Sequence, residues 1–191
     1  MSEVRFIVIT VPPPGVSLVL ESARAAAASL TGSSAALAYP PHVTLRTGAV
    51  VPGESVEAFA SGLRESLGTW RPFPIRTRGF FHAAYSEGTG EPLHMVAWKV
   101  IADQPLTDLH ARLASYGPWR RRTQPVFEPH LTLAFEDITE NGARLLLDHA
   151  VGDPQVFPPD LAWPCSNVGL YRKNGFQWEP YIVFRTPETE R

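Results

Sequence analysis

The sequence predicts an α+β fold, and three features carry that reading. Runs rich in β-branched and aromatic residues alternate with segments of helical apolar period. Several of the strand-like runs follow one another as hairpins, and proline and glycine stand at the boundaries rather than inside the elements. The chain has 191 residues, 19 of them proline and 14 glycine. A chain of that length buries roughly 70% of its unfolded surface, enough for a single core.

Taken in order, residues 4–11 read as a first strand, because Phe6 to Val11 is a short apolar stretch that runs into Pro12-Pro13-Pro14. Residues 16–30, with the alanine run from Ala25 to Ala28, read as a helix, and Ser33 to Tyr39 as a connection into a second strand. Ser55 is placed to cap a helix whose apolar stripe is Val56, Phe59, Ala60, Leu63 and Leu67, with Gly68 closing it. Two β-rich runs follow at 74–85 and 93–102. The Ser86 to Glu91 stretch between them has hairpin-loop composition. Asp103 is placed to cap a helix with the stripe Leu106, Leu109, His110, Leu113 and Ala114, ending at Gly117-Pro118. A polar loop from Trp119 to Gln124 leads to a further strand. Thr139 then caps a helix through 149 with Leu145, Leu146 and Ala150 inward, and strands are expected near 161–171 and 178–185. This amounts to about seven strands and four helices, with no linker or low-complexity segment, so residues 1–191 read as one domain.

Within that frame one motif occurs twice: Pro41-His42-Val43-Thr44-Leu45 and Pro129-His130-Leu131-Thr132-Leu133. Side chains alternate between the faces of a strand. His42 and Thr44 therefore share one face and Val43 and Leu45 the other, and the second copy repeats this with His130 and Thr132 against Leu131, Leu133 and Phe135. Proline fixes φ and donates no hydrogen bond, so Pro41 and Pro129 belong at the strand starts. One such strand is ordinarily just a half-solvated strand. Two matched copies, each offering an imidazole and a hydroxyl, point to a phosphoryl-transfer site.

Charge narrows the partners. With 17 basic and 19 acidic residues and a pI near 6.3, the chain lacks the broad basic face that captures duplex DNA through counterion release. A small phosphate-bearing ligand or an RNA end remains compatible. The single cysteine, Cys165, excludes an internal disulfide and a cysteine-based zinc site, and fits a reducing compartment. The Phe6 to Val11 stretch is too short for a signal-peptide core and no run reaches membrane-span length, so a soluble, cytoplasmic protein is expected, and nothing calls for more than a monomer. His82, His94, His110 and His149 read as structural or surface residues. Short histidine spacings of the zinc-binding kind are absent, so no metal is expected.

The paired motifs resemble the His-x-Thr signatures of the two-histidine (2H) phosphoesterase superfamily, and more narrowly its bacterial 2′-5′ RNA ligase-like and RNA 2′,3′-cyclic phosphodiesterase group. The likeness extends to Met95-Val96-Ala97-Trp98-Lys99-Val100, to Leu106-Thr107-Asp108-Leu109, to the lead-in from Arg122 to Pro129, and to Val168-Gly169-Leu170-Tyr171 and Tyr181-Ile182-Val183-Phe184. It departs at Ala134-Phe135-Glu136, where relatives often carry an arginine, and at Lys173, where serine is common. The resemblance implies a bilobed fold. Two pseudo-twofold-related, antiparallel-rich sheets with outer helices would face each other across a central cleft lined by the His-Thr strands.

The implied activity is metal-independent and needs no cofactor. It is hydrolysis of 2′,3′-cyclic phosphates on RNA ends or small cyclic nucleotides, with reversible 2′-5′ ligation as the companion reaction. Such hydrolysis requires a base for water on one side of phosphorus and an acid for the departing ribose oxygen on the other, and imidazole serves both roles near neutral pH. Threonine hydroxyls can donate to the non-bridging oxygens. By the resemblance His130 is the base and His42 the acid, with Thr44 and Thr132 as anchors. Three further contacts are candidates. Arg46 continues the His42/Thr44 face by the period of two, and is either a phosphate ligand or a solvated strand-end arginine. Tyr171 is either a base-stacking residue or a core tyrosine. Arg122, in the basic run Trp119 to Arg122, is either an RNA-backbone contact or a solvated loop charge. Two other readings stand beside the cyclic phosphodiesterase: a nucleotide- or RNA-binding module with the same cleft and little turnover, and an enzyme for a related phosphodiester.

Overall fold

The structure, a computed structural model, describes residues 2–86, 90–119, 127–175 and 177–186. The elements in chain order are β1 (Glu3–Thr10), α1 (Pro14–Thr31), β2 (Val43–Pro52), α2 (Val56–Leu67), β3 (Phe73–Tyr85), β4 (Leu93–Val100), α3 (Gln104–Ala114), β5 (His130–Phe135), α4 (Glu140–Gly152), β6 (Ala162–Cys165), β7 (Asn167–Asn174) and β8 (Gln177–Arg185). The α+β expectation holds, with four α-helices and eight strands among the described residues.

The additional strand comes from the expected run at 161–171, which divides at Ser166. The Ser166 amide turns back onto the Pro164 carbonyl at 3.1 Å, which bends the chain, and Pro164 itself has no N–H to offer a ladder. The part before the bend pairs with β3 and the part after it with β1. All strand pairs are antiparallel, in the order β6-β3-β4-β5-β2-β1-β7-β8. Because β6 and β7 are consecutive in sequence yet belong to opposite halves of that order, the sheet curls until its two four-stranded halves are tied by one bent segment.

The halves meet centrally at a single bridged pair, Val43 opposite Leu131. Both side chains are fully buried in the main core, with Leu45, Leu133, Trp98, Phe6 and Val8 from the sheet and Leu20, Leu63, Leu106 and Leu146 from the helices. Burial of one such side chain contributes about 1.5–3 kcal/mol, so the apolar alternation of both motif strands fixes which of their faces turns away from the core.

Local chemistry accounts for the helix boundaries. Pro14 opens α1 two residues earlier than expected, since the first helical position needs no N–H, and Gly32 closes it at φ 76°. Thr139 caps α4 as expected, its hydroxyl accepting from the Gly142 amide at 3.1 Å. Asp103 and Ser55 hold the expected boundary positions without a side-chain cap bond. Asp103 instead meets Arg76 at 3.6 Å. On α4 the buried stripe is Ala143, Leu146 and Ala150, and Leu145, expected inward, is 44% exposed. The i, i+3, i+7 period centred on Leu146 rotates its neighbour out.

Candidate active site

The bridged pair organises the site. Carrying the antiparallel register one residue each way from Val43 and Leu131 sets His42 beside Thr132 and Thr44 beside His130. The local twofold of antiparallel pairing therefore exchanges the two histidines and the two threonines. All four side chains are half-buried, on the face opposite the core. The two His-x-Thr segments that the sequence singled out are thus brought together at one point in the fold.

Each imidazole is held in the same way. His42 Nδ1 lies 2.8 Å from the Pro40 carbonyl, and His130 Nδ1 lies 3.0 Å from the Glu128 carbonyl. A carbonyl only accepts, so Nδ1 carries a proton in both rings, which leaves Nε2 as the nitrogen able to gain or lose one. The residue two positions before each histidine supplies the acceptor, and the intervening Pro41 or Pro129 stiffens that short loop. Each ring also has an aromatic companion. Tyr39 sits 6.3 Å from His42, and Phe81 meets His130 edge-on at 6.1 Å and 81°.

Burial and a neighbouring charge act on the His42 ring. Burial, with the charge of Arg24 and the proximity of His130 acting the same way, pushes the His42 pKa down to about 4, although its bond to the Pro40 carbonyl pulls upward. Arg24 gave no signal in the motif reading. It stands on the buried stripe of α1 with Leu20, Ala23 and Ala27, 4% exposed, and its Nη1 donates to the Tyr39 carbonyl at 2.9 Å. A charged residue at i+4 of an otherwise alanine- and leucine-lined stripe was the sequence signal that could have found it. Burial lowers its own pKa to about 10, so it is cationic at neutral pH.

A second residue outside the motifs joins their surroundings. Asp137, just past β5, accepts from the Ser33 hydroxyl at 2.5 Å and from the Ser34 and Ala35 amides at 2.7 and 2.9 Å. It thereby caps the short 3₁₀ turn at Ala35–Ala38 that leads into the His42 strand. Partial burial works against the charge, but these hydrogen bonds outweigh it and hold the carboxyl below the usual range.

The expected substrate contacts fall in different places. Arg46 stands opposite Val8, not in line with Thr44, because a register shift separates the Ile9–Thr44 and Val8–Arg46 pairs. Tyr171 lies on the motif face of β7, opposite Ile7, and Ile7 and Ile9 bury it to 8% exposure. Its ring lies over Gly169, where a Cβ would come within 2.5 Å of it, and burial raises its pKa. The ring borders a cavity of about 400 Å³ lined also by Val11, Pro12, Asn167, Val183 and Arg185. Gly169 pairs with Ile9 and Ile9 with Thr44, so the cavity is two strand spacings, about 10 Å, from Thr44. Arg122 lies outside the described residues.

Among the described residues no group of three or more His, Cys, Asp or Glu side chains could hold a metal ion, and no helix is long and apolar enough to cross a membrane. The profile of the 2′-5′ RNA ligase superfamily matches residues 12–176. The chain belongs to that superfamily, the two-histidine phosphoesterases, and so to a group of phosphoesterase- and RNA ligase-like enzymes. Solved structures agree in fold. Escherichia coli LigT complexed with 3′-AMP superposes with a TM-score of 0.62 at 15% identity, covering 97% of this chain and 99% of LigT. TT0787 of Thermus thermophilus gives 0.59 at 19% identity, with 95% and 97% covered. Usb1 of Kluyveromyces marxianus gives 0.56 at 18% identity, again with 95% and 97% covered. No curated protein matches the sequence itself.

Proposed function

We propose that this protein hydrolyses 2′,3′-cyclic phosphates on RNA ends or small nucleotides by acid-base catalysis between its two histidines, without a metal. The observation that supports this best is the crossed quartet about the Val43–Leu131 pair, with both Nδ1–H groups tied to backbone carbonyls. A phosphorus atom seated over that pair has an Nε2 on each side and a threonine hydroxyl beside each histidine. His130 takes the proton of the attacking water as the new P–O bond forms. His42 delivers a proton to the ribose oxygen as the ring P–O bond breaks, leaving a phosphate monoester. Thr44 and Thr132 donate to the non-bridging oxygens. Joining a cyclic end to a 5′-hydroxyl is the same step with that hydroxyl in place of water, so each histidine keeps its role, and the two exchange roles when the new linkage is cleaved back to the cyclic end.

Acting as the acid, His42 must gain a proton that its burial and the charge of Arg24 oppose. A bound phosphodiester anion offsets this, since a negative charge against an imidazole favours its cationic form. Arg46, Tyr171 with its neighbouring cavity, and Arg122 are the proposed substrate contacts, and the complex of LigT with 3′-AMP makes a nucleotide-sized ligand reasonable.

The test is a panel of 2′,3′-cyclic nucleotides and cyclic-ended oligonucleotides followed by phosphorus NMR. A monoester product is expected from the wild type in the presence of chelator. A bell-shaped pH profile that survives His42→Ala or His130→Ala would sink the two-histidine mechanism, and binding with no product across the panel would leave a binding module.

A further inference from the structure

We infer that Arg78 and Lys99 form a phosphate-binding strip beside His130 that holds the backbone of a single-stranded RNA next to its reacting end, which makes the preferred substrate a polynucleotide end over a mononucleotide. The inference rests on the quartet being a phosphodiester site. In the antiparallel register of β4 and β5, Lys99 is directly opposite His130, and Ala97 directly opposite Thr132. Residues directly opposite share a face, with Cβ atoms about 5 Å apart. Lys99 therefore projects on the same side as the quartet, and it is exposed.

On the far side of β4 the register with β3 shifts between Thr77 and Phe80, whose partners are Val100 and Trp98. Arg78 and Gly79 consequently both stand opposite Lys99, which is the count of a β-bulge, and Gly79 takes the positive φ of 66° that a side chain would resist. Thr77 and Phe80 turn toward the core side, where Thr77 is 3% exposed and Phe80 packs on Trp98 at 5.4 Å. The bulge thus brings the exposed Arg78 alongside Lys99. At a strand spacing of about 4.8 Å, the backbone positions of Lys99 and Arg78 lie outward from that of His130 by about 5 and 10 Å.

Two like charges directly opposite in an antiparallel pair destabilise it, and no ion pair among the described residues offsets that here. Neither Lys99 nor Arg78 takes part in the ion pairs described there. Asp103 is engaged with Arg76 at 3.6 Å. Asp160 flanks Arg78 from the other side, because Thr77 and Gly79 donate to the Leu161 and Pro159 carbonyls, but it forms no ion pair with Arg78. In a chain of net charge −2, these paired cations beside the candidate catalytic residues are suited to a polyanion whose phosphates continue away from the one being cut.

The experiment uses ligands that cannot be opened further: a labelled oligoribonucleotide ending in a 3′-phosphate, and a nucleoside 3′-monophosphate. Affinity is measured across a range of potassium chloride for the wild type, Lys99→Gln, Arg78→Gln, and the conservative Lys99→Arg and Arg78→Lys. The wild type is expected to bind the oligonucleotide more tightly than the mononucleotide. Each glutamine variant should weaken oligonucleotide binding about 3- to 10-fold at low salt and flatten log K against log salt by about 0.7, the contribution of one single-strand phosphate contact. Mononucleotide binding should change less than about twofold, and the conservative variants should keep the wild-type slope. Equal wild-type affinity for the two ligands, unchanged slopes, or equal losses on both ligands would each overturn the strip. Product formation from cyclic-ended substrate is followed separately. A flattened slope in a protein that makes no product keeps the strip and removes the hydrolysis reading.

Discussion

The two halves of the site have the same motif and opposite surroundings. On the His42 side the next strand brings Ile9 against Thr44, Ile7 and Tyr171 continue an apolar patch, and the buried Arg24 sits behind the strand's lead-in. On the His130 side the next strand brings Ala97 and then the exposed Lys99, and Phe81 touches the ring by its edge. Local twofold pairing makes the histidines equivalent as geometry. Desolvation and a buried cation then make His42 reluctant to hold a proton. The lesson is that two imidazoles matched in strand pairing acquire different surroundings through what lies one strand or one helix away.

The largest test of that asymmetry is to remove each histidine. His42→Asn and His130→Asn should each lower the rate of cyclic-phosphate hydrolysis by about 10²- to 10⁴-fold, and the double variant should fall well short of the product of the two losses, because residues acting as a unit are not additive. Initial rates on a cyclic mononucleotide settle it, and a loss confined to one variant would end the paired mechanism.

Next in size is the titration of His42. Arg24→Met removes one of the causes of its low pKa, so the value followed by NMR should rise from about 4 while staying below the ordinary histidine range, since burial, the largest cause, remains. The sign for stability follows from linkage. The unfolded chain takes up a proton near pH 6.5 that the folded His42 refuses until about 4, so its contribution to stability is lost as pH falls through that window. Denaturation midpoints measured from pH 7 to 4 should decline less in His42→Gln than in wild type. An anion bound between the rings raises the His42 pKa, so binding takes up a proton. The affinity for sulfate, which does not titrate in this range, should accordingly rise as pH is lowered from 7 to 5.

A smaller effect concerns how the first half is tied to the second. Asp137→Ala removes the acceptor for Ser33, Ser34 and Ala35 and should cost about 1–2 kcal/mol, a melting shift of about 2–8 °C for a domain of this size. It should also loosen the His42 strand more than the His130 strand, which amide hydrogen exchange would resolve. The smallest expected change is a gain. Glu136, at the end of β5, holds φ at 67°, and Glu136→Gly should stabilise by less than about 1 kcal/mol, visible as a slight rise in melting temperature.

Much of this was legible in the residues. The α2 stripe is buried at every position expected of it, Thr139 caps α4, and both motif strands bury their Val and Leu faces, because each of these depends on chain-local periodicity or capping chemistry. Two elements differ from their expected form. Leu145 faces outward because the period centred on Leu146 sets the rotation of α4, and the 161–171 run divides because the Ser166 amide turns back onto the Pro164 carbonyl. Arg46 stands opposite Val8 because of the register shift against β1, a property of two strands that one strand cannot announce. Asp137, Arg78 and Lys99 sit outside the motifs and gain their interest only from what the fold sets beside them, whereas Arg24 left a trace as a charge on an apolar helix stripe.

By itself, then, the sequence determined the composition of the site: two imidazoles and two hydroxyls, each pair on the polar face of a strand whose other face must be buried. That follows from a period of two and the cost of exposing apolar surface, both local to the segment. Only the tertiary structure decided that the two strands meet at Val43 and Leu131, that a buried arginine stands behind one histidine, and that a bulge sets two cations beside the other. Strand pairing, desolvation and cross-strand charge all depend on distance between segments far apart in the chain.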